Sequence, residues 1–489
     1  MTKSLRADTM ATDSAALEQL LQRQRKAHIA DGQASADLRI DRLDRCAALL
    51  RDYSARFEEA INADFGNRSR HASAITDIMS PLGALRDCRA NLRKWMRSER
   101  RPVEPRLLGL FGARSEIRFQ PKGVIGIIAP WNFPVGLVFS PLAGVLAAGN
   151  RALIKPSEFT PRTSDLLQQS IAEYFAPDEV AVVTGGADVG AAFAALPFDH
   201  LIFTGAGSVA KHVMRAAAEN LVPLTLELGG KSPVILGASV DMPVAAARIM
   251  AGKTLNAGQI CLAPDHIFVP RGLRDSFVTE ARQATEAMFG SLKDNPDYTA
   301  MISDRHFERV RGYVADAREK GATIVEINPA GETFEQQEHR RIPPTLILDA
   351  TRDMAVMQDE IFGPLLPVVA YDSAEEVVAE INAHDRPLAL YYFGSEAGER
   401  DRIIDATTSG GVCVNDVIMH CAQENLPFGG IGPSGMGAYH GIDGFREFSH
   451  RKAIHTQLGR DLGPMKLFRP PYGAKLRAFV DKQIGAGAR

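Results

Sequence analysis

Hydrophobic and polar positions change rhythm along the chain. Up to about residue 100, charged side chains are frequent and apolar ones return at helical spacing. Between residues 38 and 65, for example, Ile40, Leu43, Leu49, Leu50 and Phe57 can share one stripe, which predicts a covering bundle of helices. Beyond the basic, proline-containing run 97–106, short apolar runs alternate with helical segments: GVIGIIA from 123, ALIKP from 152, VAVVTG from 180, HLIFTG from 200, TLELGG from 225 and PVILG from 233. Such alternation predicts a parallel sheet with helices on its faces. A second series, HIFVP from 266, TIVEI from 323, LPVVAY from 366 and LALYYFG from 388, is separated by helical segments such as 274–289 and predicts a second α/β unit. No internal repeat, low-complexity tract or long flexible linker divides the two.

Residues 123–150 carry no charge and are numerous enough to cross a bilayer. Pro130, Pro134 and Pro141 interrupt them, so the stretch reads as a strand, an irregular PWNFP loop and a helix PLAGVLAAG rather than a membrane span.

At 489 residues the chain has room for roughly three folding units by a prior of about 150 residues each. Its 45% hydrophobic and 24% charged residues suit a globular protein, and a formal charge of −3 implies no bulk attraction to nucleic acid or anionic membrane. A small molecule is the expected partner. The 5 cysteines are sparse and lack a CxxC pair, which argues against a disulfide framework or a structural zinc site and favours a reducing compartment. The opening MTKSLRADTMATDS has no apolar signal-peptide core and the closing IGAGAR no lipidation motif, so a cytoplasmic location is expected. The histidines show no HExxH or other metal spacing, and no metal is expected.

Candidate chemistry begins at FTGAGSVA, where Gly205, Gly207 and Ala210 satisfy G-x-G-x-x-A between a predicted strand and a predicted helix. Such a turn lets a dinucleotide approach the backbone and the helix start, though it also serves as a plain tight turn. Glu227 then stands where an acidic residue would hold a ribose, and it equally ends an apolar strand, where desolvation raises a carboxyl toward the range of a general base. GGKS does not complete a P-loop, because position 225 is Thr225 rather than glycine. Among the cysteines, Cys46, Cys88 and Cys413 read as small buried hydrophobes, and Cys421 as packing near the LPFGG turn. Cys261 follows a Gly-Gln loop after a helix and is the candidate nucleophile.

Seven motifs occur in order: PWNFP (130–134), KPSE (155–158), FTGAGSVA, LELGGKSP (226–233), NAGQIC (256–261), EIFGP (360–364) and LPFGGIGPSGMG (426–437). Together they resemble the NAD(P)-dependent aldehyde dehydrogenase superfamily over residues 35–455, with spacing like its class 3 branch. DFGNRS (64–69) is similar to bacterial enzymes that act on coniferyl aldehyde. The resemblance implies a doubly wound parallel-sheet cofactor domain, an α/β catalytic domain and a small β oligomerisation element. It places these at 1–102 with 122–226, at 227–417, and at 103–121 with 418–457, followed by a tail at 458–489.

It also implies roles. Cys261 would attack the aldehyde carbonyl, Asn132 and the Cys261 backbone N–H would hold the oxyanion, and Glu227 would be the base for thioester hydrolysis, which removes it from the ribose. Lys155 and Glu158 would hold the adenosine ribose, Gly205 and Ser208 the pyrophosphate, Glu360 the nicotinamide ribose, and Phe362 and Trp131 would border the cofactor. A carboxylate at Glu158 repels a 2′-phosphate, so NAD is expected over NADP, with Lys155 permitting some NADP use. Ala206 and Ala210 depart from the hydroxyl residue and glycine common in the family's turn. His420 and His440 fall near the site and read as satisfied polar packing. The expected activity is oxidation of an aromatic aldehyde such as coniferyl aldehyde, to ferulate, by a homodimer. A medium-chain aliphatic aldehyde, or a noncatalytic protein on the same scaffold, are the alternatives.

Overall fold

The computed structural model describes residues 14–486; the targeting readings at the two ends rest largely on residues outside that range. The described residues fall into two compact units, one made of residues up to Trp95 with Gln120–His450, the other of Met96–Phe119 with residues from Arg451 on.

The larger unit opens with the expected helices. Ala36–Asp52 and Ser54–Phe65 break at Tyr53, and Leu43, Leu49, Leu50 and Phe57 are buried. The uncharged stretch becomes the strand Val124–Ile128 and the helix Gly136–Ala147, which starts earlier than its sequence suggests and carries Pro141 inside. Among the described residues no helix is long and apolar enough to cross a membrane.

The first, 6-stranded sheet runs in the order Gly435–Met436, Leu224–Glu227, His200–Thr204, Val124–Ile128, Arg151–Lys155, Val180–Val182. All neighbours are parallel except Gly435–Met436, which returns antiparallel with Gly435 opposite Glu227. These strands are nearly continuous apolar runs because helices cover both faces. Ala210 is buried in that packing, where a small side chain lets the helix Gly207–Ala218 approach the sheet.

The second, 7-stranded sheet contains Pro233–Leu236, which the sequence groups with the first series, and the four runs of the second series. Thr345–Leu348 and Gly411–Val414 complete it without having been anticipated.

The smaller unit holds a 3-stranded sheet of Glu99–Arg101, Arg114–Pro121 and Ser449–Thr456. Of residues 418–457, assigned by resemblance to the small β element, only this last strand joins that sheet. The preceding residues stay in the larger unit because Gly435–Met436 pairs with the first sheet.

Candidate active site

In the first sheet the parallel strands lie, numbered by chain order, as third, second, first, fourth, fifth, so the direction of winding reverses between Val124–Ile128 and His200–Thr204. In open α/β sheets a ligand crevice forms outside the carboxyl ends of strands at such a reversal. Here those ends run on into Pro130, Trp131 and Asn132 and into Gly205 and Ala206. All five line a cavity of about 290 Å³, whose other walls include Glu227, Cys261, His306, Arg309, Glu360 and Phe362.

Cys261 is presented by a tightly wound loop. Asn256 and Ala257 both sit at φ 50, a left-handed conformation unfavourable for residues with a Cβ, and hydrogen bonds hold them there. The amide nitrogen of Gln259 donates to the carbonyls of Asn256 at 3.0 Å and Ala300 at 3.1 Å, while its Oε1 accepts from the N–H of Ile302. Burial, then the nearby carboxyls of Glu360 and Glu227, hold the Cys261 thiol well above its ordinary range.

Asn132 is 4% exposed. Its side-chain nitrogen donates to the Gln259 carbonyl, and its own carbonyl accepts from Asn256 at 3.1 Å and from Arg68 at 2.7 Å. Arg68 in turn forms a fully buried ion pair with Asp77, whose Oδ1 accepts the N–H groups of Val135 and Gly136. The DFGNRS segment is thus a brace for the PWNFP loop. Its Asp64 also accepts hydrogen bonds from Thr163, at the start of the helix Pro161–Tyr174.

Glu227 is 2% exposed and neither side-chain oxygen has a hydrogen-bond partner. Burial alone pushes its carboxyl well above the usual range. Glu360 lies across Gly229, where a Cβ would stand 2.1 Å from its Oε2. Burial, then Asp265, pushes Glu360 up to about 8, against a hydrogen bond from the Gly230 backbone. The segment from Glu360 to Phe362 is fixed by Arg309, which donates to the Glu360 and Ile361 carbonyls, and by Asp265, which accepts the Ile361 N–H at 3.0 Å. Lys231 donates to Asp265 and to the carbonyls of Val356 and Asp359, so the GGKS lysine is a structural tie. Phe362 then turns at φ 46 to meet Trp131, ring centroids 5.4 Å apart.

Lys155, at the end of its strand, is buried and donates to Glu158 at 2.8 Å; neither contributes to the cavity wall. Gly205 lines it and has no room for a side chain, a Cβ there standing 2.7 Å from the Phe203 ring. Ser208 is exposed in the first turn of the following helix and lies outside the wall, and Ala206 takes that helix's N-cap position without a side-chain bond.

His306 and Arg309 were not anticipated. They belong to the charge-rich helix Asp304–Glu319, whose pattern reads as a solvated face. One cysteine reading changes: Cys413 is only half-buried, as is Cys421, although Cys46 and Cys88 are buried as expected. His420 and His440 are not satisfied either, since both ring nitrogens of His420 and Nδ1 of His440 lack partners. Among the described residues no group of three or more His, Cys, Asp or Glu is arranged to hold a metal.

A thiol, an amide donor and two carboxyls around one cavity can support covalent chemistry at a carbonyl. A profile of the aldehyde dehydrogenase family matches residues 1–454. The chain belongs to the aldehyde dehydrogenase family. Within that family it is 61% identical over 470 residues to a probable coniferyl aldehyde dehydrogenase of Caulobacter vibrioides, covering 96% of this chain and 97% of that one. It is 50% identical to a coniferyl aldehyde dehydrogenase of a Pseudomonas species, covering 94% of each. Among solved structures, the substrate-bound AldH of Staphylococcus aureus matches with a TM-score of 0.88 at 35% identity, over 95% of this chain and 99% of that one. A Mycobacterium tuberculosis aldehyde dehydrogenase complexed with NAD+ matches with a TM-score of 0.82 at 27% identity, over 92% of each.

Proposed function

We propose that the chain oxidises aldehydes to carboxylic acids with NAD as the oxidant, and that its substrates are aromatic aldehydes of the coniferyl type. The observation that carries this is the meeting of Asn132, Glu227, Cys261 and Glu360 around one cavity at the winding reversal of the first sheet. The names of the Caulobacter and Pseudomonas relatives support the substrate class, and the NAD complex of the mycobacterial relative supports the cofactor.

The residues fit a dinucleotide. Gly205 leaves the turn before the helix Gly207–Ala218 bare, Glu360 offers an unpartnered oxygen, Oε1, and Trp131 and Phe362 give apolar walls. Lys155 and Glu158 would hold the adenosine ribose, Ser208 and Gly205 the pyrophosphate, and Glu360 the nicotinamide ribose. When bound, NAD supplies the acceptor for the hydride. Cys261 gives up its thiol proton to solvent and adds its sulfur to the carbonyl carbon, and the Asn132 amide with the Cys261 backbone N–H donates to the oxygen that becomes negative. After hydride loss, an acyl thioester remains on Cys261. Glu227, whose carboxyl burial pushes well above its ordinary range, acts as the carboxylate that takes a proton from the water that hydrolyses it, and the thiol is restored.

The first sheet is the cofactor domain and residues 227–417 the body of the catalytic domain. The 3-stranded sheet ends in the edge strand Ser449–Thr456, which a second copy would extend to form a homodimer. Free cysteines throughout the described chain suit a reducing cytoplasm.

The test is NADH absorbance on mixing with NAD and either coniferyl aldehyde or octanal. Formation of NADH with a higher kcat/KM for coniferyl aldehyde, lost in Cys261→Ala, is expected. A preference for octanal overturns the substrate class, and no NADH with any aldehyde overturns the activity.

A further inference from the structure

The turn that carries the nucleophile is held from outside at both ends. Cys261 and Leu262 are the two central residues of a β-turn, closed by the Ala263 N–H donating to the Ile260 carbonyl at 3.0 Å. On the entry side the Gln259 carbonyl accepts from the side-chain nitrogens of Asn132 and Asn256, each at 3.2 Å. On the exit side the Leu262 carbonyl accepts from the hydroxyl of Tyr391 at 2.6 Å, across 129 residues of sequence. Among the described residues no other donor reaches that carbonyl.

Tyr391 is a fixed point for that bond. It lies in the strand Ala389–Phe393, between Pro233–Leu236 and Gly411–Val414 in the second sheet, where it pairs with Val234 and Cys413. The residue is 0% exposed, and burial pushes its phenol well above the ordinary range, so the hydroxyl keeps its proton and remains a donor. Leu262 is buried as well, which shields its carbonyl from water and leaves it dependent on this one partner.

A turn tied at one end can still rock about that end. The Gln259 tie fixes the approach to Cys261, whereas the sulfur and the Cys261 N–H project from the turn itself, beyond that tie. A displacement of about 1 Å in a reacting group can cost roughly a hundredfold in rate, so the tie on the exit side bears on chemistry more than on folding. We infer that Tyr391 is a positioning residue for the nucleophile: through the Leu262 carbonyl it locks the turn so that the Cys261 sulfur and the Cys261 N–H meet the carbon and the oxygen of one aldehyde together. This rests on the proposed oxidation of aldehydes and names what aims its thiol.

The experiment is single-turnover NADH formation with enzyme in excess over coniferyl aldehyde and NAD saturating, which reads sulfur addition and hydride loss without thioester hydrolysis. Tyr371 supplies the control. Its hydroxyl donates to the Leu236 carbonyl, also at 2.6 Å, from the strand Leu365–Tyr371 of the same sheet, and neither residue lines the cavity at Cys261. Tyr391→Phe should slow the maximal rate by roughly tenfold to a hundredfold, while the enzyme concentration that gives half of it changes by less than about threefold. Tyr371→Phe forfeits the same kind of bond and should stay within about threefold of the wild type in both quantities, with a similar fall in Tm. In the Asn132→Ala background Tyr391→Phe should slow the rate by a smaller factor than in the wild type, since one of the donors being aimed is gone. Bound NAD stabilises the folded chain, and Tyr391→Met, which fills the space without a hydroxyl, is read instead if Tyr391→Phe does not fold. Equal slowing in the two tyrosine variants, a loss confined to aldehyde binding, or an undiminished factor in the Asn132→Ala background overturns the inference and leaves aldehyde oxidation standing. A wild type that forms no NADH from any aldehyde overturns the two together.

Discussion

The side-chain nitrogen of Asn132 donates to the backbone carbonyl of Gln259 at 3.2 Å, so the loop after the first strand of the cofactor sheet is tied to the peptide two residues before Cys261. The amide that is proposed to receive the oxyanion and the sulfur that is proposed to create it are thereby held in one unit. Asn132→Ala is expected to lower kcat by about a hundredfold to a thousandfold, the usual loss for one oxyanion donor, with a smaller change in KM. Steady-state NADH formation measures it.

Arg68 and Asp77 stand behind that loop with side chains 0% exposed. Removing one member of a buried pair leaves the other charge without compensation, so Asp77→Ala should destabilise the protein by about 3–5 kcal/mol. Urea unfolding followed by circular dichroism checks the value, and an unchanged midpoint would refute the bracing role.

Glu227 has no hydrogen-bond partner and a carboxyl raised by burial. If it serves water rather than the sulfur, Glu227→Gln should still release a burst of about one NADH per active site, after which turnover falls by roughly a hundredfold to ten-thousandfold. Stopped-flow absorbance separates the two phases. A variant with normal steady-state turnover would remove Glu227 from the hydrolytic step.

Glu360 is raised from the ordinary 4.5 to about 8, which gives stability a pH dependence. Between those values the folded chain retains a proton that the unfolded chain has lost. The contribution is therefore full below about pH 4.5 and declines as pH rises to about 8. Glu360→Gln does not titrate, so its Tm relative to the wild type should rise steadily from pH 5 to pH 8. Differential scanning calorimetry at low salt tests this, and a constant difference would mean that Glu360 is ionised throughout.

Glu158 is 39% exposed at its side chain and paired with Lys155. A carboxylate facing a 2′-phosphate at close range costs about 1 to 4 kcal/mol, depending on the local dielectric. Glu158→Gln should therefore raise the NADP-to-NAD ratio of kcat/KM by roughly tenfold or more. A cofactor comparison at fixed aldehyde is sufficient.

Strands were legible where burial on both faces produced apolar runs, as at Val124–Ile128 and Ala389–Phe393. Gly411–Val414 was missed because it is short and only partly buried, and Pro233–Leu236 was grouped with the wrong series because adjacency along the chain says nothing about which sheet a strand enters. The cavity residues carried by the ordered motifs, among them Asn132, Glu227, Cys261 and Glu360, were found through those motifs. Arg309 and His306 were not, because on a helix rich in charge a residue that turns inward has the same local sequence as one that faces water. The brace formed by Arg68 depends on Asp77 and Asn132, and only the fold brings the three together.

The antiparallel return of Gly435–Met436 has a consequence for biogenesis. The strand that carries Glu227 gains its outer neighbour from a segment synthesised some two hundred residues later, so a nascent chain exposes that strand as an open edge until almost all of it has left the ribosome. Premature termination anywhere in between would release a polypeptide whose nucleotide sheet is uncapped beside Glu227, a natural substrate for chaperones and a seed for aggregation.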